Sequence, residues 1–265
     1  MNSSIVLPPS AIIPWAELKI GENQVPFSTI YEDIYYSQDG GIDESMHVFL
    51  HGNNLPERWK QNADFVIGES GLGSALNLLV TWSSWKKFLN TCTCPVNHNL
   101  HYISFEKHPI TLHTLQQIYD KGKRYEDSIK ILDIYPQLLP DEYPSYKKLI
   151  VPKERLTISI FWGEMLQSLQ WILSTGNNSV APSIVPTIDA WFLDGHAPAR
   201  NPDLWSSELF SLIKKITSHN GTLATYSVAG KVKNNLKEAG FDISKKTGYG
   251  RKREMLVGIC PKCGT

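Results

Sequence analysis

The chain has 265 residues, 42% of them apolar and 11% aromatic, with 26 acidic and 26 basic side chains. That suffices for one sizeable core and excludes a disordered chain, a collagen and a coiled coil. No long apolar run offers a membrane span, the four cysteines are too few for a disulfide scaffold, and the first nine residues lack the basic start of a signal peptide. The expectation is a soluble, cytoplasmic, globular protein.

The first sixty residues are punctuated by Pro and Gly. Ile30–Tyr36 and His47–Leu50 read there as short strands or irregular structure, with Asp39-Gly40-Gly41 as a turn. Residues 1–60 are expected to form a β-rich extension ahead of a main domain, 61–265. From residue 64 strands and helices alternate. Asp64–Gly68 is a strand, Ser74–Leu89 a helix, and His101–Glu106 the next strand. Pro109 opens a helix. Residues 121–150 are polar and rich in Tyr and Pro, an insertion with no clear element. Leu156–Phe161 alternates as a strand and Glu164–Leu173 follows as a helix. Asn177–Pro186 reads as a loop. Ile188–Leu193 is a buried strand, Pro202–Thr217 a helix, Gly221–Ser227 a strand and Val228–Ala239 a helix. Phe241–Lys246 and Glu254–Ile259 close the chain as two strands joined by Gly248-Tyr249-Gly250.

Strands separated by helices of this length predict a parallel sheet covered on both faces. The last two strands are too close in sequence for anything but an antiparallel pair. That ending is unlike the six-stranded dinucleotide fold. It suits the Rossmann-like α/β variant of nucleoside-binding methyltransferases, whose last strand is reversed.

Ligands of such sheets bind beyond the carboxyl ends of the strands. Glu69-Ser70-Gly71-Leu72-Gly73 lies at the first such end. Its acid would repel a pyrophosphate, and Leu76 stands where a third glycine would be needed. A cofactor carrying an ammonium group, such as S-adenosylmethionine, suits it better; a plain structural turn is the alternative. Glu106 ends the second strand, where a carboxylate can accept from both ribose hydroxyls or merely face solvent. Gly163-Glu164 ends the third. Glu164 can meet an adenine amine, or serve as an acid in a helix's first turn. Asp194 follows six mostly apolar residues and precedes Gly195-His196-Ala197-Pro198, a position suited to orienting an amine or accepting its proton. His196 reads as a contributor or an incidental loop residue.

Charge is uneven along the chain. Residues 1–64 carry nine acids and three bases, and 231–253 carry eight bases and two acids. A basic end marks a polyanion site or an unevenly charged surface. Arg251, Lys252 and Arg253, beside Tyr249, could neutralise phosphates while the ring stacks on a base. Cys92, Cys94, Cys260 and Cys263 make a poor zinc set, and no metal is expected.

Several blocks together resemble the methyltransferase domain of the MnmC family, the bacterial bifunctional proteins of 5-methylaminomethyl-2-thiouridine biosynthesis in tRNA. They include Tyr31–Ser37, Val48–Asn53, Gly68–Asn77, Ile103–Lys107, Asp189–Pro198, Asn201–Asp203, Gly221–Thr225 and Gly250–Met255. The resemblance spans roughly residues 26–259. It implies a Rossmann-like fold with a seven-stranded sheet. It also implies methyl transfer from S-adenosylmethionine to the aminomethyl nitrogen of a tRNA wobble uridine. Glu69, Ser70, Gly71, Gly73, Glu106, Lys107, Gly163 and Glu164 would contact the cofactor, and Asp194 would sit between cofactor and amine. Spaced by two on an expected strand, Tyr31, Asp33 and Tyr35 would share a face and line the substrate pocket with His196, or else pack as an aromatic sheet edge; Arg251, Lys252 and Arg253 would lie on the tRNA. The family's pattern has Phe in place of His196 and Asp in place of Glu164. Bifunctional members continue into a flavin-dependent oxidoreductase; this sequence ends at Thr265 without a second Gly-rich fingerprint. That reads as a free-standing, MnmD-like enzyme served by a separate FAD-dependent oxidoreductase, or as a fragment. The rival expectations are a methyltransferase of another amine or small molecule, and a non-catalytic RNA-binding module with the same fold.

Overall fold

Asp64–Glu69 (β4) is buried at every position after the first, the signature of a strand covered on both faces. Around it the computed structural model builds one large sheet; the residues described are 12–20, 25–36, 40–93, 97–120, 128–175 and 186–261. The other strands are Asn99–Glu106 (β5), Ser145–Val151 (β6), Leu156–Trp162 (β7), Ile188–Phe192 (β8), Thr217–Thr225 (β9), Asp242–Thr247 (β10) and Glu254–Ile259 (β11). Their order across the sheet is β10-β11-β9-β8-β4-β5-β7-β6. The pairs β4/β5, β5/β7, β4/β8 and β8/β9 are parallel. Strand β11 runs antiparallel to both β9 and β10, as the short final connection requires.

The sheet therefore has eight strands, not the seven expected. The extra one, β6, comes from the segment that gave no clear element and pairs antiparallel with β7 at the sheet's edge. Only its first residue is fully buried, and Ile150 is 58% exposed. An edge strand so open to solvent needs no continuous apolar run, so its sequence carries little strand signal.

Helices cover both faces. Leu76–Thr91 (α2), Leu112–Asp120 (α3) and Ser128–Leu138 (α4) close one face over a core that includes Trp59, Trp85, Tyr102 and Phe192. Met165–Thr175 (α5), Ser207–Lys215 (α6) and Gly230–Glu238 (α7) close the other over Phe105, Trp191, Leu209 and Val232. The helix expected over 202–217 is split. A 3-10 turn, Pro202–Trp205, precedes α6, and the Ser206 hydroxyl caps α6 by accepting from Leu209 N.

The N-terminal region departs further from expectation. Leu18–Ile20 (β1), Pro26–Ser28 (β2) and Asp33–Ile34 (β3) make a small antiparallel sheet. The run Ile30–Tyr36 gives only β3, because residues 29–32 turn and Glu32 sits at φ 48°. His47–Leu50 is helical, not a strand: helix α1, Gly41–Ser45, continues into a π-helical segment, Met46–His51. Val48, Phe49 and Leu50 are all buried, which an alternating strand facing one core would not allow, and Phe49 stacks on Phe192 of β8 at 5.4 Å. The loop expected at 177–186 lies almost entirely outside the described residues, as do Asp39, Cys94 and Cys263. Among the described residues, no helix is long and apolar enough to cross a membrane and no His, Cys, Asp and Glu side chains cluster as metal ligands.

Candidate active site

From β4 the chain builds outward through β5 to β7, then returns to the other side of β4 with β8 and β9. The order reverses between β4 and β8, and a cleft opens beyond the carboxyl ends of those two strands. Its volume is about 670 Å³. Ser70, Gly71 and Gly73 wall it from β4, Glu106 and Lys107 from β5, Gly163 and Glu164 from β7, and Asp194 and His196 from β8. Tyr31, Asp33 and Tyr35 close it from the N-terminal region, and Lys252 reaches in from the β10–β11 connection.

The loops are tightly made. Gly195 sits at φ 151°, and a Cβ there would lie 2.2 Å from Leu204 Cδ2. Gly73 sits at φ 50° against the Tyr35 ring. Ser70 Oγ donates to the carbonyl of Asp194 at 2.5 Å, joining the two loops across the switch point. Glu106 accepts from Gly73 N and His108 N, each at 2.8 Å. Lys107 and Glu164 form an ion pair at the rim.

Asp194 is a half-buried acid of the wall. Its Oδ2 accepts from Asn77 Nδ2 at 2.7 Å and its Oδ1 from Gly195 N at 2.8 Å. Burial pushes its carboxyl up to about 6, against the opposing pull of those two donors and of the Lys252 charge. Lys252 Nζ lies 2.8 Å from Glu44 and 3.8 Å from the centre of the Tyr226 ring. Tyr226 in turn donates to the Gly195 carbonyl.

Glu69 is set differently from the expectation that it contacts a cofactor. It is fully buried and does not line the cleft; its oxygens accept from Asn77 Nδ2 at 2.9 Å and Ser104 Oγ at 2.7 Å. It lies behind the glycine loop because its side chain points toward the face that α2 covers. Burial pushes it up to about 8, so it is mostly protonated at neutral pH.

Tyr31, Asp33 and Tyr35 do not lie on one strand, yet all three reach the cleft. Tyr31 stacks on His196 with ring centres 4.5 Å apart, and Tyr35 meets the same imidazole edge-on at 5.1 Å. His196 Nδ1 is buried without a hydrogen-bond partner, 3.7 Å from Asp33 Oδ2, which instead accepts from Ala197 N at 2.9 Å. Arg251 and Arg253 lie outside the cleft and are exposed. Sequence reasoning missed Asn77, Glu44 and Tyr226. Asn77 had a visible signal, a polar residue opening an apolar helix right after the glycine loop. The other two had none.

Residues 132–261 match the family model of an S-adenosyl-L-methionine-dependent methyltransferase. MnmC of Idiomarina loihiensis, named a tRNA 5-methylaminomethyl-2-thiouridine biosynthesis bifunctional protein, is 39% identical over 249 residues, which are 92% of this chain and 38% of that protein. MnmC of Legionella pneumophila (strain Lens) is 35% identical over 97% of this chain and 37% of its own. The chain thus spans under two fifths of the length of these curated relatives. The crystal structure of MnmC2 from Aquifex aeolicus aligns at a TM-score of 0.66 and 22% identity, covering 97% of this chain and 74% of that one, and so shares the fold. With an acidic cleft at the switch point of a Rossmann-like sheet and these matches along its length, the chain belongs to the S-adenosyl-L-methionine-dependent methyltransferases, and the portion of MnmC it resembles is the methyltransferase one.

Proposed function

We propose that the chain methylates the aminomethyl nitrogen of 5-aminomethyl-2-thiouridine at the wobble position of tRNA, giving 5-methylaminomethyl-2-thiouridine. The observation that carries this reading is Asp194: a half-buried carboxylate at the switch point, in one cleft with the glycine loop and the aromatic wall of Tyr31, Tyr35 and His196. The cleft fits the cofactor. Its acids favour a cation, and the missing side chain of Gly71 leaves room beside the Asp194 carbonyl, 3.5 Å from where a Cβ would stand. Ser70, Gly71, Gly73, Glu106, Lys107, Gly163 and Glu164 would hold it, with Glu106 accepting from ribose hydroxyls.

S-adenosylmethionine, when bound, supplies a methyl group already activated on a positively charged sulfur. The chain's own task is orientation and proton removal. An alkylammonium has no lone pair, so Asp194 takes a proton from it. The neutral amine, held beside Asp194, would then be free to take up the methyl group that the bound cofactor supplies. Holding both partners in register can supply up to roughly 7–11 kcal/mol of the barrier reduction.

A wobble base must be extruded to reach such a cleft. Tyr31 and His196 offer it a stacking wall, and the basic stretch 231–253, with Arg251, Lys252 and Arg253, grips backbone phosphates. Affinity for tRNA should then fall steeply with salt; affinity insensitive to salt would remove the phosphate contacts. The proposed site of action is the cytoplasm, with a separate FAD-dependent oxidoreductase as the proposed supplier of the aminomethyl substrate.

The deciding experiment is methyl transfer from labelled S-adenosylmethionine to tRNA from cells blocked at this step, beside fully modified tRNA. Incorporation into the undermodified tRNA alone is expected. Incorporation into another amine without tRNA would favour the second reading, a small-molecule methyltransferase for which the same acidic cleft would serve.

A further inference from the structure

Asn77, in the first turn of α2, lies directly behind the glycine loop and is only 5% exposed. Every hydrogen-bonding group of its side chain is engaged. Oδ1 accepts from the Ser45 hydroxyl at 2.6 Å. Nδ2 donates to Glu69 Oε1 at 2.9 Å and to Asp194 Oδ2 at 2.7 Å. Turned over, the amide would set its oxygen against the Asp194 carboxylate and lose that bond. Glu69 is anchored in turn by Ser104, and Asp194 by Gly195 N. One amide therefore ties Glu69, the last residue of β4, to Asp194, two residues beyond the end of the neighbouring β8, at the point where the cleft opens.

We propose that Asn77 is a positioning residue for methyl transfer: its amide fixes the direction of the Asp194 carboxylate and keeps it ionised, while Glu69 and Ser45 hold the amide in place. This rests on the reading of Asp194 as the acceptor of the amine's proton. A buried carboxylate keeps its charge only where donors face it. Here they are two, Asn77 Nδ2 and Gly195 N. The backbone donor belongs to the same loop as the acid and moves with it. The amide belongs to another element and fixes the carboxylate relative to the glycine loop.

The titratable groups facing Asp194 are Lys252 before β11, Glu44 of α1, Glu69 of β4, Tyr102 of β5 and Tyr226 after β9. Asn77→Leu, close in shape, changes none of these charges. A displaced Asp194 titration therefore reads the amide itself.

The test is a carbon-13 NMR titration of the Asp194 carboxyl in the full chain, with Asp194→Asn assigning the signal. It compares the wild type with Asn77→Leu and with Ser45→Ala, which keeps the amide but lets it turn. The midpoint is expected to move to higher pH in Asn77→Leu and by less in Ser45→Ala, with S-adenosylhomocysteine still bound. In methyl transfer, Asn77→Leu should lower kcat about tenfold or more. The same replacement should cost little further in the Asp194→Asn background. An unmoved midpoint in both variants overturns the proposal, and so does an equal loss of kcat with and without the Asp194 carboxylate. If Asn77→Leu does not fold, the Ser45→Ala titration decides: displaced, it upholds the amide's role, and unmoved, it ends it. Full activity in Asp194→Asn alone would overturn the reading of Asp194 and this proposal together. An inactive Asp194→Asn with an unmoved midpoint would overturn only the role of Asn77.

Discussion

Glu106 Oε2, at the end of β5, accepts a hydrogen bond from Gly73 N at 2.8 Å, which joins the glycine loop to a strand end 33 residues further on. The second oxygen accepts from His108 N at the same distance. Backbone donors thus aim the carboxylate of a residue that lines the cleft. Replacing Glu106 by Ala would leave both N–H groups without an acceptor and remove the proposed ribose contact. Affinity for S-adenosylhomocysteine should fall about 10–100-fold, as expected for a lost charge-assisted hydrogen bond. Calorimetric titration measures it, and an unchanged affinity would take Glu106 out of the cofactor site.

Asp194 sets the pH dependence of the proposed reaction. Burial raises its carboxyl to about 6, and only the ionised form accepts a proton. Activity should therefore fall as pH drops through about 6 and level off above it, until another group intervenes. Asp194→Asn should remove that acid limb and slow transfer by about 10²–10⁴-fold, the usual worth of a general base. Rates across pH with saturating cofactor would check both. An acid limb that survives in Asp194→Asn belongs to another residue.

The elements around this cleft were largely legible in sequence because β4, β5, β7 and β8 are buried at most positions and so are rich in apolar residues. The rule that ligands gather at strand ends then picks out Ser70, Gly71, Glu106, Gly163 and Asp194, which all line the cleft. What was illegible depends on three-dimensional context. Strand β6 is an exposed edge with weak patterning. His47–Leu50 has strand-like residues, but its burial against Phe192 belongs to a helix. Glu69 looked like a cofactor ligand because a strand-end acid can point either way, and only the packing of α2 against β4 turns it inward. Glu44 and Tyr226 come from parts of the chain far from any motif.

Glu69 should leave a signature in stability. Its carboxyl goes from an ordinary value of 4.5 to about 8 on folding. The folded state therefore holds this proton more tightly than the unfolded chain. The resulting stability is fully present below about 4.5 and is lost as pH rises toward 8. The whole gap corresponds to something on the order of 4–5 kcal/mol. Burial lowers His101, His108 and His196 and works in the opposite sense below 6.5, so raw curves would mix the effects. The difference between the wild type and Glu69→Gln isolates it. In urea titrations the Gln variant should gain on the wild type steadily between pH 5 and pH 8. A constant difference would mean that Glu69 is ionised in the fold at neutral pH.

His196 has its Nδ1 buried with no hydrogen-bond partner among the described residues, 3.7 Å from Asp33 Oδ2. Burial lowers its imidazole below the ordinary 6.5, so it is neutral at pH 7. An unpaired buried nitrogen costs roughly 1–3 kcal/mol. A phenyl ring would keep the stack on Tyr31 and remove that cost. His196→Phe should therefore raise stability by about 1 kcal/mol, the lower end of that range. The imidazole ring lines the cleft beside Tyr31 and Tyr35, where the extruded base is proposed to stack. The variant should accordingly show a raised KM for undermodified tRNA, with kcat and S-adenosylhomocysteine affinity little changed. Thermal denaturation and steady-state rates together test this. A variant both more stable and unaltered in KM would make the histidine a tolerated replacement with no part in recognition, and a less stable one would mean that Nδ1 has a partner after all.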